Sequence, residues 1–441
     1  MMSKKILLIL CISFFFKGCN NNDDTPKPVS PQIDFIKTFG GSSNETARSV
    51  IQTIDNGYAV LGYTQSNDGD IINKTDISFD YWLLKFDSNE NLQWSKTYGG
   101  SDIDQGSKII QTLDGGFALI GSSSSNDGDV STNEGFNDIW LVKLDVSGNI
   151  TWEKSYGFPG NDLGFSVVQN ADGGYFVSGV LDVSGSRGDG NDRSLHAGGD
   201  YWGLKLDANG NKIWRRYFGG SFTDSAFDVI ESDDGGFILI GSSDSDDVDI
   251  ANNKGGYDFW IVKVDTNGNM VWEKSFGGSQ IDEARSITKT ADGNYLIVGD
   301  SRSNDQDISN SKGAADMWLI KISDSGNLIW EKSFGGTSFD VARNITPTTD
   351  GGFLLSGSSR SQDGDVETNK GQNDVWIVKI DNSGNIEWQK TVGGSDIDFA
   401  YDAVELNNGD IIVVGESDSN DGDILENKGF TDLLITKIKV E

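Results

Sequence analysis

The chain reads as an all-β protein, a seven-bladed β-propeller of four-stranded antiparallel blades whose last blade is closed by the N-terminal strand. Three observations predict it. First, tryptophan recurs as Trp94, Trp152, Trp214, Trp272, Trp330 and Trp388, at spacings of 58, 62, 58, 58 and 58 residues; a period of that length marks supersecondary units that cannot bury their apolar faces alone. Second, each unit carries four strand-like runs, as in GSKIIQT (106–112), FALIGSS (117–123), DIWLVKLD (138–145) and NITWEKSY (149–156), rich in the β-branched and aromatic residues that suit a pleated surface. Third, the two ends are complementary. The last unit stops after its third run, DLLITKIKV (432–440), while IDFIKTFGG (33–41) matches LQWSKTYGG (92–100) with Phe35 in the place of Trp94. A closed ring uses every run and leaves no open array ends, whereas an open β-solenoid leaves the two half-units unexplained.

The chain begins with Lys4-Lys5 and an apolar run, Ile6 to Phe16, which read as the n-region and h-region of a secretory signal. A run of 11 residues is short for an uncleaved anchor, which needs about 20. Cys19 follows Lys17-Gly18 and opens a polar tail, NNNDDTPKPVSPQ. This arrangement resembles a bacterial lipoprotein signal, with Lys17 where a small residue is usual. The resemblance implies a signal peptide over 1–18, lipidation of Cys19 (palmitate among the acyl groups), and attachment to a membrane through that lipid. Residues 19–32 then form the lipidated cysteine and a flexible tether, and 33–441 the propeller. Asn20 to Asp24 resembles the acidic tract that sends some lipoproteins of Bacteroidetes-type bacteria to the outer surface, so the expected location is the cell envelope, as a surface-exposed outer-membrane lipoprotein.

Within the repeats the turns are as regular as the strands. Asp114-Gly115-Gly116, Asp172-Gly173-Gly174, Asp234-Gly235-Gly236 and Asp350-Gly351-Gly352 link the first pair of runs, and Ser147-Gly148-Asn149 and its equivalents link the second pair; glycine supplies the positive φ of tight hairpins. The assembled repeat, W-x-K-x-x-G-G followed by D-G-G-aromatic and D-x-W-x-x-K, resembles the β-propeller repeats of bacterial exported lipoproteins, many of them from Bacteroidetes. That resemblance covers 33–441. It implies an envelope propeller and brings no catalytic residues with it.

A formal charge of -33 argues against nucleic acid, whose phosphates need clustered Lys and Arg; cations or a basic partner suit such a surface better. The chain also lacks H-E-x-x-H, G-x-S-x-G, a P-loop and any Cys/His cluster, so metalloprotease, serine-hydrolase and nucleotide-binding chemistry lack their usual signatures.

All 12 tryptophans fall in two columns, the series above and Trp82, Trp140, Trp202, Trp260, Trp318 and Trp376, which blade-to-blade packing explains more simply than sugar stacking. Lys85, Lys143, Lys205, Lys263, Lys321, Lys379 and Lys437 form a structural column on the third strand, their stems lying along apolar neighbours. Three acidic sets share one face of a propeller. Glu45, Asp104, Asp162, Asp224, Asp282, Asp340 and Asp398 begin the inner strands and are expected as an acidic ring at the channel mouth. Asp80, Asp138, Asp200, Asp258, Asp316, Asp374 and Asp432 begin the third strands. Between them the loops read NDGD: Asp68 and Asp70, Asp127 and Asp129, Asp363 and Asp365, Asp421 and Asp423, with looser versions at Asp247/Asp249 and Asp305/Asp307. Such loops fit two readings. D-x-D with glycine between suits calcium, which takes 6 to 8 oxygens in flexible geometry, and aspartates at strand starts also accept backbone N–H bonds in turns.

The repeat is broken at blade 3, in LDVSGSRGDGNDRSLHAGGDYW (181–202). This loop holds the single histidine, His196, with Arg187, Asp189 and Arg193, and is the candidate irregular site. The expected function is a lipid-anchored, monomeric propeller that binds or scaffolds a protein or glycan partner, with calcium as a candidate support. The alternative is a propeller enzyme acting on polysaccharide at the channel mouth, although seven equivalent carboxylates single out no acid/base pair.

Overall fold

The computed structural model describes residues 31–186 and 196–440. The expected signal peptide, Cys19 and all but the last two tether residues lie outside the described residues, as do Arg187, Asp189 and Arg193.

Seven four-stranded antiparallel sheets form the ring. Their inner strands are Glu45–Gln52, Asp104–Gln111, Leu163–Gln169, Asp224–Glu231, Asp282–Lys289, Asp340–Pro347 and Asp398–Glu405, numbered here as blades 1 to 7. Blade 7 pairs Asp398–Glu405, Ile411–Ser417 and Asp432–Val440 with the N-terminal strand Pro31–Phe39, so the ring closes as the sequence predicts. That strand starts at Pro31, two residues into the expected tether, where Pro31 pairs with Val440. Proline is tolerated as the first residue of an outer strand because no ladder donor is needed there. The one helical turn among the described residues is Val183–Ser186, at the irregular loop of blade 3.

The cores lie between blades. One cluster joins Val60, Trp82 and Leu84 of blade 1 to Ile412, Val414 and Ile435 of blade 7, and the other six clusters also join neighbouring blades. The third-strand tryptophans are fully buried. Trp140, Trp260 and Trp318 lie 4.5–4.8 Å, centroid to centroid, from Tyr81, Tyr201 and Phe259 of the preceding blades. Indole N–H groups are satisfied within the blade, Trp140 by Glu153 at 2.8 Å and Trp376 by Gln389 at 3.0 Å. Both tryptophan columns therefore serve packing; Trp202 is the third-strand member whose buried indole N–H has no acceptor among the described residues.

Candidate functional site

On the mouth face, where the outer strand of one blade leads into the inner strand of the next, the repeated carboxylates turn inward. Glu45, Asp104, Asp162, Asp224, Asp282, Asp340 and Asp398 have no exposed surface at all. Asp340 is representative: it accepts from Gly336 N at 2.8 Å, Ser361 Oγ at 2.7 Å and Ser359 Oγ. The expected acidic ring at the channel mouth is thus corrected to a ring buried between blades. The reason lies in the preceding G-G, whose backbone N–H needs an acceptor once it is taken out of water.

The third-strand aspartates meet them at each junction. Asp258 accepts from Lys254 N through Oδ2, while its buried Oδ1 has no partner among the described residues. A Cβ on Gly277 would fall 2.1 Å from Asp258 Oδ1 and 2.8 Å from Asp282 Oδ2, so glycine is required where two carboxylates close on the backbone. Burial, reinforced by a nearby carboxylate, pushes eight of these acids up: to about 7 for Asp162, Asp224 and Asp258, and to about 6 for Asp80, Asp138, Asp200, Asp374 and Asp432.

The NDGD carboxylates are also backbone acceptors. Asp68 accepts from Ser42 N (2.7 Å) and Asp70 from Gly40 N (3.0 Å). The same pairs recur as Asp127 with Ser101 N and Asp129 with Gly99 N, Asp363 with Thr337 N and Asp365 with Gly335 N, and Asp421 with Ser395 N and Asp423 with Gly393 N. Among the described residues no three His, Cys, Asp or Glu side chains gather as a metal site would require. The second aspartate usually faces a lysine of the preceding blade: Lys254–Asp307, Lys312–Asp365, Lys370–Asp423 and Lys428–Asp70. In the looser loops Val248 and Gln306 take the glycine position at φ 59° and 55°, a left-handed conformation that costs a side chain on the order of 1–2 kcal/mol.

His196 occupies the lysine position of blade 3. Its Nδ1 sits 2.6 Å from Asp200 Oδ2 and its ring packs edge-on to Tyr217. Burial opposes its protonation, but Asp200, Asp249 and Asp224 outweigh burial and raise it.

The channel itself is lined by a column the repeat pattern does not show. In every inner strand the register slips by one residue, between Ala47 and Ser49, Gly106 and Lys108, Gly164 and Ser166, Ala226 and Asp228, Ala284 and Ser286, Ala342 and Asn344, and Ala400 and Asp402. Such a bulge inserts one residue and re-aims its neighbours, so two successive side chains face the axis. The inserted residues are Arg48, Ser107, Phe165, Phe227, Arg285, Arg343 and Tyr401. They border a mouth cavity of about 700 Å³, all but Ser107 contributing charge or an aromatic ring.

The residues that follow them close the floor. Lys108 Nζ reaches Ser166 Oγ at 3.0 Å and Asp228 Oδ1 at 2.5 Å; Ser286 Oγ links Asp228 Oδ2 (3.2 Å) to Asn344 Oδ1 (2.7 Å). Asn344 then donates to Asp402, which accepts from Ser49 Oγ at 3.1 Å. This chain of hydrogen bonds passes through all seven blades, making the mouth a cup with a polar floor.

Three arginines stand in the cup. Arg48 donates to Tyr63 Oη at 2.8 Å and lies 3.9 Å from the Tyr401 ring centroid. Arg285 meets Glu283 at 2.8 Å and Asp300 at 3.8 Å and covers the Phe227 ring at 4.4 Å. Arg343 has no hydrogen bond or ion pair among the described residues. Burial, followed by repulsion from Arg285, pushes its pKa down. The sequence signal was present: a small residue, then one that varies, then a polar one, three places into each inner strand. It is missed by looking for what repeats.

No family model matches the chain. It is 22% identical over 415 residues to the regulatory protein FlaEY of Caulobacter vibrioides, covering 82% of this chain and 41% of that protein; the chain thus spans less than half the length of the curated relative it matches. Among solved structures it is similar to a Bacteroides caccae protein of unknown function (12% identity, TM-score 0.42, 81% of this chain and 99% of that one). It is similar also to the WD40 domain of Neurospora crassa Pan2 (9%, TM-score 0.47, 92% and 95%) and to a gluconolactonase of Xanthomonas campestris (8%, TM-score 0.38, 92% and 89%). At these identities the likenesses convey no activity.

Proposed function

We propose that the chain is a binding module of the bacterial cell envelope, held to the outer membrane by lipid on Cys19, whose partner seats on the mouth of the channel. The observation that carries this reading is a contrast inside each inner strand. The buried acid at its start is repeated in every blade, while the inserted residue three places on runs Arg, Ser, Phe, Phe, Arg, Arg, Tyr. A position that serves only the ring has reason to recur seven times; one that serves a single asymmetric partner has reason to differ, and scaffolds of this kind carry function where they vary. The anchor rests on the sequence of residues 1–24.

Two experiments test the proposal. Metabolic labelling with a palmitate analogue is expected to mark the full chain and to leave Cys19→Ala unmarked. A glycan and protein panel applied to the ring is expected to give retention that Phe227→Ala or Tyr401→Ala weakens and Ile54→Ser, on the opposite face, does not. New reducing ends or unsaturated products in the same assay would favour a polysaccharide-cleaving enzyme instead.

A further inference from the structure

We infer that the cup is a receptor for an acidic sugar, in which Arg343 takes the acid group and Phe227, Phe165 and Tyr401 carry the ring; this rests on the mouth being the binding face.

The charges of the cup are unevenly committed. Arg285 already faces Glu283 and Asp300. Arg48 is engaged by Tyr63 and Tyr401, with Tyr401 in turn donating to Glu416 at 2.8 Å. Arg343 alone of the three has no acceptor, and it stands close enough to both of the others for each to disfavour its charge. Asp300 attracts it, but burial and Arg285 outweigh that attraction, and a partly buried guanidinium without a hydrogen-bonded counter-charge costs stability. A ligand oxyanion on its planar fork would supply that counter-charge through two parallel hydrogen bonds, with the neighbouring arginines adding attraction in a site of low dielectric.

The second half of the inference comes from the wall. Phe165 and Phe227 lie 5.2 Å apart, centroid to centroid, at the same level as the arginines, and Tyr401 stands across the cup beneath Arg48. A simple inorganic anion would leave these faces wet. A sugar ring has an apolar face that covers an aromatic ring and hydroxyls that suit a polar floor such as Ser286 and Asn344. About 700 Å³ lies within the 300–1,000 Å³ range of small-ligand sites. The overall charge of -33 repels anions at long range, so this cup favours a ligand that touches the arginines directly.

The test is isothermal titration of the purified ring with trigalacturonate and with a neutral trisaccharide of the same length. The acidic sugar is expected to bind at least tenfold more tightly. Arg343→Ala is expected to weaken it tenfold or more without lowering the melting midpoint, Arg343→Lys to recover part of the loss, and Lys312→Ala, on the rim, to leave the affinity unchanged. Equal affinity for the two sugars, with both lost in Phe227→Ala, would overturn the acidic preference and leave the mouth as a binding face. Acidic binding that survives Arg343→Ala would place the site elsewhere. Failure of trigalacturonate, and of a sulfated trisaccharide in its place, to bind at all overturns the inference. If the panel of glycans and proteins is also not retained at the mouth, the binding-module reading falls with it.

Discussion

The two faces of the ring use aspartate in opposite ways. On the hairpin face D-G-G aspartates face buried lysines of the third strand, Asp114 with Lys143 and Asp350 with Lys379 at 2.9 Å, and Asp292 of the D-G-N turn faces Lys321 at 2.8 Å. Bonds from the turn and the lysine outweigh partial burial and hold Asp114, Asp234 and Asp350 down to about 2. On the mouth face the repeated carboxylates are buried, and burial raises Asp138 to about 6 and Asp162, Asp224 and Asp258 to about 7. The same residue, at the same period, is a paired surface anion at one end of a strand and a buried acid at the other. The period says where a residue sits; its neighbours say what charge it carries.

The largest consequence is in the pH dependence of stability. For Asp80, Asp138, Asp162, Asp200, Asp224, Asp258, Asp374 and Asp432 the folded value lies above the unfolded one, near 3.9; their stabilising contribution is present below that value and is lost as pH rises through about 6 to 7. For the hairpin-face aspartates the folded value lies below, so theirs is present above about 4 and is lost as pH falls toward 2. Stability is therefore expected to peak near pH 4 to 5 and to fall by on the order of several kcal/mol by pH 8, with the net charge of -33 adding self-repulsion. Urea titrations at pH 4.5, 6 and 8 measure this. Asp224→Asn, which cannot ionise, should flatten the alkaline side. A peak at pH 7 to 8 would mean that the mouth-face acids are not the buried groups described.

Next in size is a pair of single substitutions. Asp340→Ala removes the acceptor of Gly336 N and two serine hydroxyls in a site with no exposed surface, a loss of about 3 kcal/mol. Asp350→Ala, half-exposed and one of two carboxylates on Lys379, should cost about 1 kcal/mol or less. The comparison is broken if the two urea midpoints shift equally.

This contrast also marks how far the sequence could be read. Blade number, ring closure and the packing role of both tryptophan columns follow from period and pattern, because each depends on what every blade shares. Gly277 and its equivalents were legible as the repeated G-G of the motif, but their tightest constraint, two carboxylates from different strands, appears only in three dimensions. The channel wall was least legible: Arg48, Phe165 and Arg343 share a structural position without sharing a residue type, and a bulge displaces them from the alternation that predicts facing. At blade 3 the break could be read in advance. Phe158 replaces the second glycine where the loop lacks NDGD, and Asp162 takes its N–H at 2.7 Å.

The cup sharpens the comparison from a third direction, since its unpaired charge is an arginine. Arg343→Gln removes a charge that Arg285 and Arg48 disfavour, and is expected to raise the urea midpoint by about 0.5–1 kcal/mol of stability while weakening ligand binding, the exchange seen where function holds a site in a costly state. Loss of stability in this variant would mean that Arg343 is a structural group.

The smallest effect is expected at the rim, where lysines do appear on the mouth face. Lys312 pairs with Asp365 of the next blade, both side chains about a quarter to a third exposed. A pair so placed spends side-chain entropy to gain a screened attraction, so Lys312→Ala should cost about 0.5 kcal/mol or less, and less again at high salt. The ring itself supports the estimate. The junctions leaving blades 1 and 2 have Asp76 and Glu134 at the lysine position, and the one leaving blade 3 has His196, yet the inner acid is fully buried at all seven junctions. Closure therefore rests on the buried acids and the cores between blades, with the rim lysines adjusting charge. A loss above about 1.5 kcal/mol for Lys312→Ala, beyond what an exposed pair supplies, would instead make the rim pairs ties between blades and require another tie at the three junctions that lack lysine.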